Sequence, residues 1–193
     1  MRLTWLLQEN KQTNSPTVNA LLSLMCFHSS RFDARTNDKG ELILYNDQDI
    51  SLWDKELIGK GNLYLSQAAT GSKLSKYHLE AAIAYWHTNQ TDSKEKWENI
   101  LQLYNQLLQI EYSPMAALNR TFALSKAFGK KEAVIEAEKL DLTENHLYHS
   151  LSGYLFTELD NEKALKHYTK ALTLARTQSD KAIIRNNIKQ LKS

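Results

Sequence analysis

"YHSLSGYLFTELDNEKALKHYTKALTLA", residues 148–175, carries the pattern that decides the fold. Tyr148, Leu151, Ser152 and Leu155 recur at i, i+3, i+4 and i+7, the spacing of one helix face. After a polar joint, Ala164, Tyr168 and Ala171 repeat that spacing. Small residues sit where two paired helices would approach, and large ones where the pair would pack on its neighbour. Such a pair cannot bury its apolar face alone, so neighbours must supply the core.

Working outward, helices are expected at about 131–139, 144–158, 161–175 and 180–191. Ser113-Pro114 reads as an N-cap followed by Pro at the first helical position, where its missing N–H costs nothing. That helix should stop at Gly129, a good residue for the position after a helix. Ser15-Pro16 gives the same start to a helix carrying Val18, Leu21, Leu22, Met25 and Cys26, ending near Arg31. Asp92, with Glu95 three residues on, would cap a helix burying Trp97, Ile100, Leu101, Tyr104, Leu107 and Leu108. A further helix is expected over residues 75–89, and another after Ser51. Thr36 to Gly40 has turn composition. Leu42 to Tyr45 should be extended. The total is eight or nine helices with no convincing sheet. The repeated pattern resembles the tetratricopeptide repeat, with the 148–171 unit the best match and the unit from Ser113 through Ala133 and Ala137 a looser one. The expected fold is all-α, a right-handed stack of antiparallel helix pairs with a short extended segment near residues 40–50. Residues 1–14 read as a flexible lead-in and 15–193 as one helical-repeat domain.

Composition narrows the function classes. Among 193 residues, 42% are hydrophobic and 24% charged, as in a folded globular chain. The six glycines and two prolines are too few for a turn-rich β fold. Cys26 is the only cysteine, which excludes an internal disulfide and a cysteine zinc site and makes a reducing, cytoplasmic compartment the expectation. No apolar run approaches the ~20 residues a membrane crossing needs. The apolar start Leu3-Thr4-Trp5-Leu6-Leu7 is too short for a signal peptide. The net charge of +2 predicts no nucleic-acid partner by itself.

"ELILYNDQDISLWDKELI", residues 41–58, gathers Asp47, Asp49 and Asp54 around Trp53. A calcium loop beginning at Asp47 would need Gly at its sixth and Glu at its twelfth position, but Leu52 and Ile58 stand there. No further polar set accompanies the acids as general acid–base chemistry would require. A structural role remains. Asp49 or Ser51 can accept the free N–H groups of a first helical turn, Ser51 with Asp54 resembles a capping box, and Trp53 would anchor the turn in the core. Asp47, Gln48, Asp49, Ser51, Trp53 and Asp54 thus form a fixed corner.

This corner also carries a resemblance. "GELILYNDQDISLWD" is similar to the G-E/D-L-V-L-L-x-x-Q-D-R-S-x-W-D segment of one group of bacterial extracytoplasmic-function sigma factors, with Ile50 standing where that group usually has Arg. "NALLSLMCFHSSRFDART", "YHLEAAIAYWHT" and "YSPMAALNRTFAL" resemble three further helices of the group, in the same order, so that the likeness covers roughly residues 15–175. In that group a tetratricopeptide-like extension follows the regions that read promoters and bind core polymerase. The resemblance implies a non-enzymatic regulatory or scaffolding module of transcription initiation. Its partners would be those DNA-binding regions and core RNA polymerase, with DNA reached only through regions upstream of this extension. It implies no cofactor.

Other candidate residues have plainer roles open to them. Tyr77, Tyr85 and Trp86 could line a groove for a peptide or small ligand, the rival function. The helical pair Asn119 and Arg120 could satisfy backbone groups between repeats or clamp a carboxylate. His146 and His149 have near metal-ligand spacing but no completing ligand, and are read as ordinary helix residues, as are His78 and His87. Lys181, Arg185, Lys189 and Lys192 form a basic stripe opposite Ile184, Ile188 and Leu191. Its plain reading is the solvated face of a capping helix; its sharper one is docking to an acidic surface.

Overall fold

The structure, a computed structural model, describes residues 2–37, 42–89 and 91–192. Among these the chain is all-α: ten α-helices, two 3-10 turns and no strand beyond an isolated bridge between Thr36 and Leu42. The helices are α1 (Arg2–Glu9), α2 (Pro16–Ser29), α3 (Lys55–Ala68), α4 (Lys76–Trp86), α5 (Lys94–Ile110), α6 (Pro114–Phe128), α7 (Lys130–Glu138), α8 (His146–Phe156), α9 (Asn161–Leu174) and α10 (Gln178–Lys192). The Ser-Pro starts behave as the sequence predicts. Ser15 and Ser113 accept from the backbone N–H groups of Val18 and Ala116, at 3.3 and 3.2 Å. The start of α5 differs: Ser93, not Asp92, accepts from the Lys96 N–H at 3.2 Å. The turn expected over Thr36 to Gly40 lies, beyond Asn37, outside the described residues.

The chain divides into two compact units, Met1–Asp92 with Gln109–Glu111, and Ser93–Leu108 with Tyr112–Ser193, where a single domain was expected. The lead-in expected over residues 1–14 holds helix α1 instead. Thr4 is buried there, and its hydroxyl donates to Met25 Sδ at 3.5 Å, which fixes α1 on α2. The short apolar run at residues 3–7 therefore lies within a helix.

In the first unit α2 packs on α3 and α4. Ala20, Leu22, Cys26 and Phe27 are fully buried. Gly61 lets α3 approach closely, because a Cβ there would stand 2.5 Å from the Phe27 ring. Ser23 Oγ donates to the Gly61 carbonyl at 2.8 Å across the same contact.

In the second unit α6 and α7 form a hairpin turned at Gly129, whose φ of 106° favours glycine. Leu118, Ala133, Ala137, Tyr148 and Leu155 make one core cluster, and Tyr168, Ala171, Ala175 and Ile184 another. Each residue quoted at the outset for its spacing, Leu151 apart, is buried, and Leu151 packs against the first cluster.

Candidate functional site

Leu44, just before the corner, has the extended backbone expected of that segment. Residues 45–47 and 50–52 are two 3-10 turns joined by extended backbone at Gln48 and Asp49. Asp49 accepts the Ser51 N–H at 2.8 Å and so caps the second turn. The hydrogen bonds from Ser51 to this carboxylate hold it below the usual acid range. Asp54, not Ser51, is the N-cap of α3, accepting the Leu57 N–H at 2.9 Å. The capping box read from Ser51 and Asp54 is thus replaced by two successive one-acid caps, because Trp53 adopts extended backbone between them. Asp54 also donates its own N–H to the Ser30 carbonyl at 2.8 Å, which ties the corner to the end of α2. Trp53 is 4% exposed, the interior anchor that was expected. Asp47 is exposed and Gln48 buried. No group of three or more His, Cys, Asp or Glu that could hold a metal ion occurs among the described residues.

A guanidinium nonetheless lies at the corner. Arg31 is buried, with its guanidinium carbon 5.3 Å from the Tyr45 ring centre and 5.7 Å from that of Trp53. Burial, then the charge of Arg35, pushes its pKa below the usual arginine value. Arg31 Nε and Trp53 Nε1 are buried without an acceptor among the described residues. Tyr45 closes the cluster, donating its hydroxyl to the carbonyls of His87 at 2.9 Å and Asn89 at 3.3 Å. Outside this polar centre, Leu42, Leu44, Ile50 and Leu52 are 53%, 47%, 48% and 50% exposed. Arg31 stands in "HSSRFDAR", where no local spacing links it to Tyr45 or Trp53.

The other candidates separate. Tyr85 is exposed and packs edge-on against Trp86 and tilted against Phe27, both at 6.0 Å, while Tyr77 lies under Lys76 at 5.6 Å. Asn119 is exposed and Arg120 half-buried. Arg120 is structural: its Nε donates to Asn105 Oδ1 at 2.6 Å and its Nη1 to Glu136 Oε2 at 3.2 Å. On α10, Arg185, Lys189 and Lys192 are exposed and Lys181 is half-buried, opposite the buried Ile184.

The second unit contains a cavity of about 350 Å³ between α7, α8 and α9. Val134, Ala137, Leu155 and Phe156 supply apolar walls, and Ser152, Lys163, Lys166, His167 and Glu138 polar ones. His149 and His167 lie beside it, their Nδ1 atoms 3.0 Å apart. His149 Nε2 sits 2.8 Å from the Thr143 carbonyl, which can only accept, so that nitrogen carries the proton. With both rings neutral, His149 Nδ1 accepts from His167 Nδ1–H, and His167 Nε2 keeps a lone pair. The His149 ring thus has a partner on another helix. Its partner His167 lies 18 positions away on another helix and gave no sign in local spacing.

The structure defines an all-α protein of packed helix pairs with an aromatic–arginine corner and a separate polar-lined cavity. Residues 1–69, which contain the corner, match the model of a "Family of unknown function (DUF6596)". The chain is also 31% identical over 180 residues to "Uncharacterized protein R00370" of Rhizobium meliloti (strain 1021), an alignment covering 91% of this chain and 43% of that one. The chain thus spans less than half the length of the curated relative it matches. No solved structure matches.

Proposed function

We propose that this chain is a protein-interaction module of an extracytoplasmic-function sigma factor, docking on the promoter-reading regions or on core polymerase. The observation that carries the reading is the corner. It lies in a segment that resembles those sigma factors, its centre is buried, and its outer side chains leave four large apolar groups half in water. Such groups cost solvation unless something covers them, and they mark protein contacts more often than chance. When two modules share one chain, the local concentration reaches the mM range, so a weak interface suffices.

The test mixes this chain with the promoter- and core-binding regions of a sigma factor from the same genome and measures both association and promoter-dependent transcription. Ile50→Asp and Leu52→Asp replace exposed side chains and should leave the fold intact while weakening association about tenfold each. No association of the unaltered chain at ~100 µM, where contacts of about −5.5 kcal/mol are half-saturated, overturns the reading.

The cavity favours a second reading, a small-ligand-sensing helical domain, since convergent polar groups over apolar walls are the usual make-up of a ligand site.

A further inference from the structure

We infer that the α7–α8–α9 cavity binds a small monocarboxylic acid with an apolar or aromatic body, which deepens the sensing reading and rests on it. Four features point to this ligand class. The volume of about 350 Å³ is at the small end of ligand sites. The wall is divided: Val134, Ala137, Leu155 and Phe156 offer carbon, while Lys163 and Lys166 enter from the first half of α9. Ser152 is 3% exposed, lines the cavity, and its hydroxyl has no partner among the described residues. A buried hydroxyl left unpaired costs on the order of 1–3 kcal/mol, which a bound acceptor would relieve. The charge balance then sets the ligand's valence. Among the lining groups alone, two ammonium groups stand against the one carboxylate of Glu138, and the Asp160 carboxylate beside Lys163 lowers the positive charge further, so a monoanion is favoured over a dianion.

The neighbours support this arrangement. Lys163 is only loosely paired, 3.9 Å from the Asp160 carboxylate, and its ammonium lies 5.2 Å from the Phe156 ring centre. Lys166 makes no ion pair among the described residues. His167 stacks on Phe156 at 5.5 Å and 18°, so the two rings offer one continuous flat surface to the ligand. With both rings neutral, the His149 contact leaves His167 Nε2 as an acceptor suited to a hydroxyl or amine elsewhere on the ligand. The acid's carboxylate would accept from the two ammonium groups and from Ser152.

The experiment titrates the full chain with a panel of aliphatic and aromatic monocarboxylic acids, phenylacetate among them, and follows the histidine ring resonances by NMR. Phenylacetamide and phenyl phosphate serve as the neutral and dianionic comparisons. The expected result is saturable binding of at least one monocarboxylate that moves the His167 resonances, with the amide and the phosphate at least about tenfold weaker. The double variant K163M/K166M should lose about tenfold in affinity, and S152A, which leaves the packing intact, several-fold. Thermal unfolding of each variant checks that the fold persists. Absence of saturable binding across the panel overturns the inference, as do tighter binding of the phosphate and indifference to both sets of variants. Equal binding of acid and amide overturns the ligand class while leaving the sensing reading in place.

Discussion

Arg120 Nε donates to Asn105 Oδ1 at 2.6 Å while its Nη1 reaches Glu136 Oε2 at 3.2 Å, so one guanidinium joins α5, α6 and α7. The fork is only partly solvated, with 26% of the Arg120 side chain and 32% of that of Glu136 exposed. Hydrogen bonds to charged groups of this kind contribute about 1.5–3 kcal/mol each before solvent screening. Arg120→Ala should therefore lower unfolding stability by about 1–3 kcal/mol in urea denaturation. Arg120→Lys should recover less than half of that loss, since an ammonium cannot hold both acceptors in the fork geometry. Full recovery by lysine would show that charge alone matters there.

The two acid caps at the corner make separable predictions. Asp54 opens a fourteen-residue helix, and Asp54→Ala should cost about 1 kcal/mol. Asp54→Ser should restore most of it. Ser51→Ala touches no α-helical cap and should stay within about 0.5 kcal/mol of the unaltered chain. The reverse ranking in thermal melts would restore the capping-box arrangement that Ser51 and Asp54 suggest in sequence.

Those caps also show what local sequence can and cannot reveal. Ser15-Pro16 and Ser113-Pro114 are unambiguous, because the serine hydroxyl and the missing proline N–H both act within one turn. Helix existence and the buried face of α8 and α9 were legible for the same reason: 3.6-residue spacing is a local property. The corner was legible in its anchor, Trp53, and misread in its hydrogen bonds, because two 3-10 turns use nearly the same residues as one helical turn. Arg31 pairs with rings 14 and 22 positions on, and His149 meets His167 across a helix joint. Only tertiary packing brings those groups together, and no window of sequence contains them. Helix α1 was missed because eight residues carry too little periodicity to outweigh a terminal position.

Stability should fall as the solution is made mildly acidic. His28 and His167 are both held below the ordinary histidine value of 6.5. For His28 the cause is burial, then Arg35 and Arg31; for His167 it is burial, then His149, with Glu138 opposing and Lys163 adding. A depressed folded value means that the unfolded chain binds protons first as pH drops through 6.5. The unfolded state is therefore favoured increasingly from there down to the folded values, and the loss is absent above that window. Urea midpoints measured between about pH 7.5 and 5.5 should decline, and His167→Gln should flatten part of the decline. Glu136 and Asp49, held below their ordinary values by hydrogen bonds, act at lower pH and do not confuse this range. A midpoint that is flat, or rises toward acid, would contradict the sign.

Two glycines with opposite surroundings test how tightly the helix pairs are closed. At Gly153 an added Cβ would stand 2.6 to 2.8 Å from three atoms of the Tyr168 ring. That ring belongs to a core cluster with Ala171, Ala175 and Ile184 and has nowhere to retreat without opening α8 from α9. Gly153→Ala should cost about 1–3 kcal/mol by overpacking, despite the better helix propensity of alanine. Trimming the ring should relieve the clash, so the double variant G153A/Y168L should be less destabilised than the sum of its parts. Gly59 meets nothing within 4 Å and lies exposed inside α3. Gly59→Ala should instead stabilise by about 0.5–1 kcal/mol, because only the backbone entropy of the unfolded chain changes. Equal effects at the two positions would mean that the α8–α9 contact is looser than a Cβ can detect, and that the small residue at 153 reflects something other than close packing.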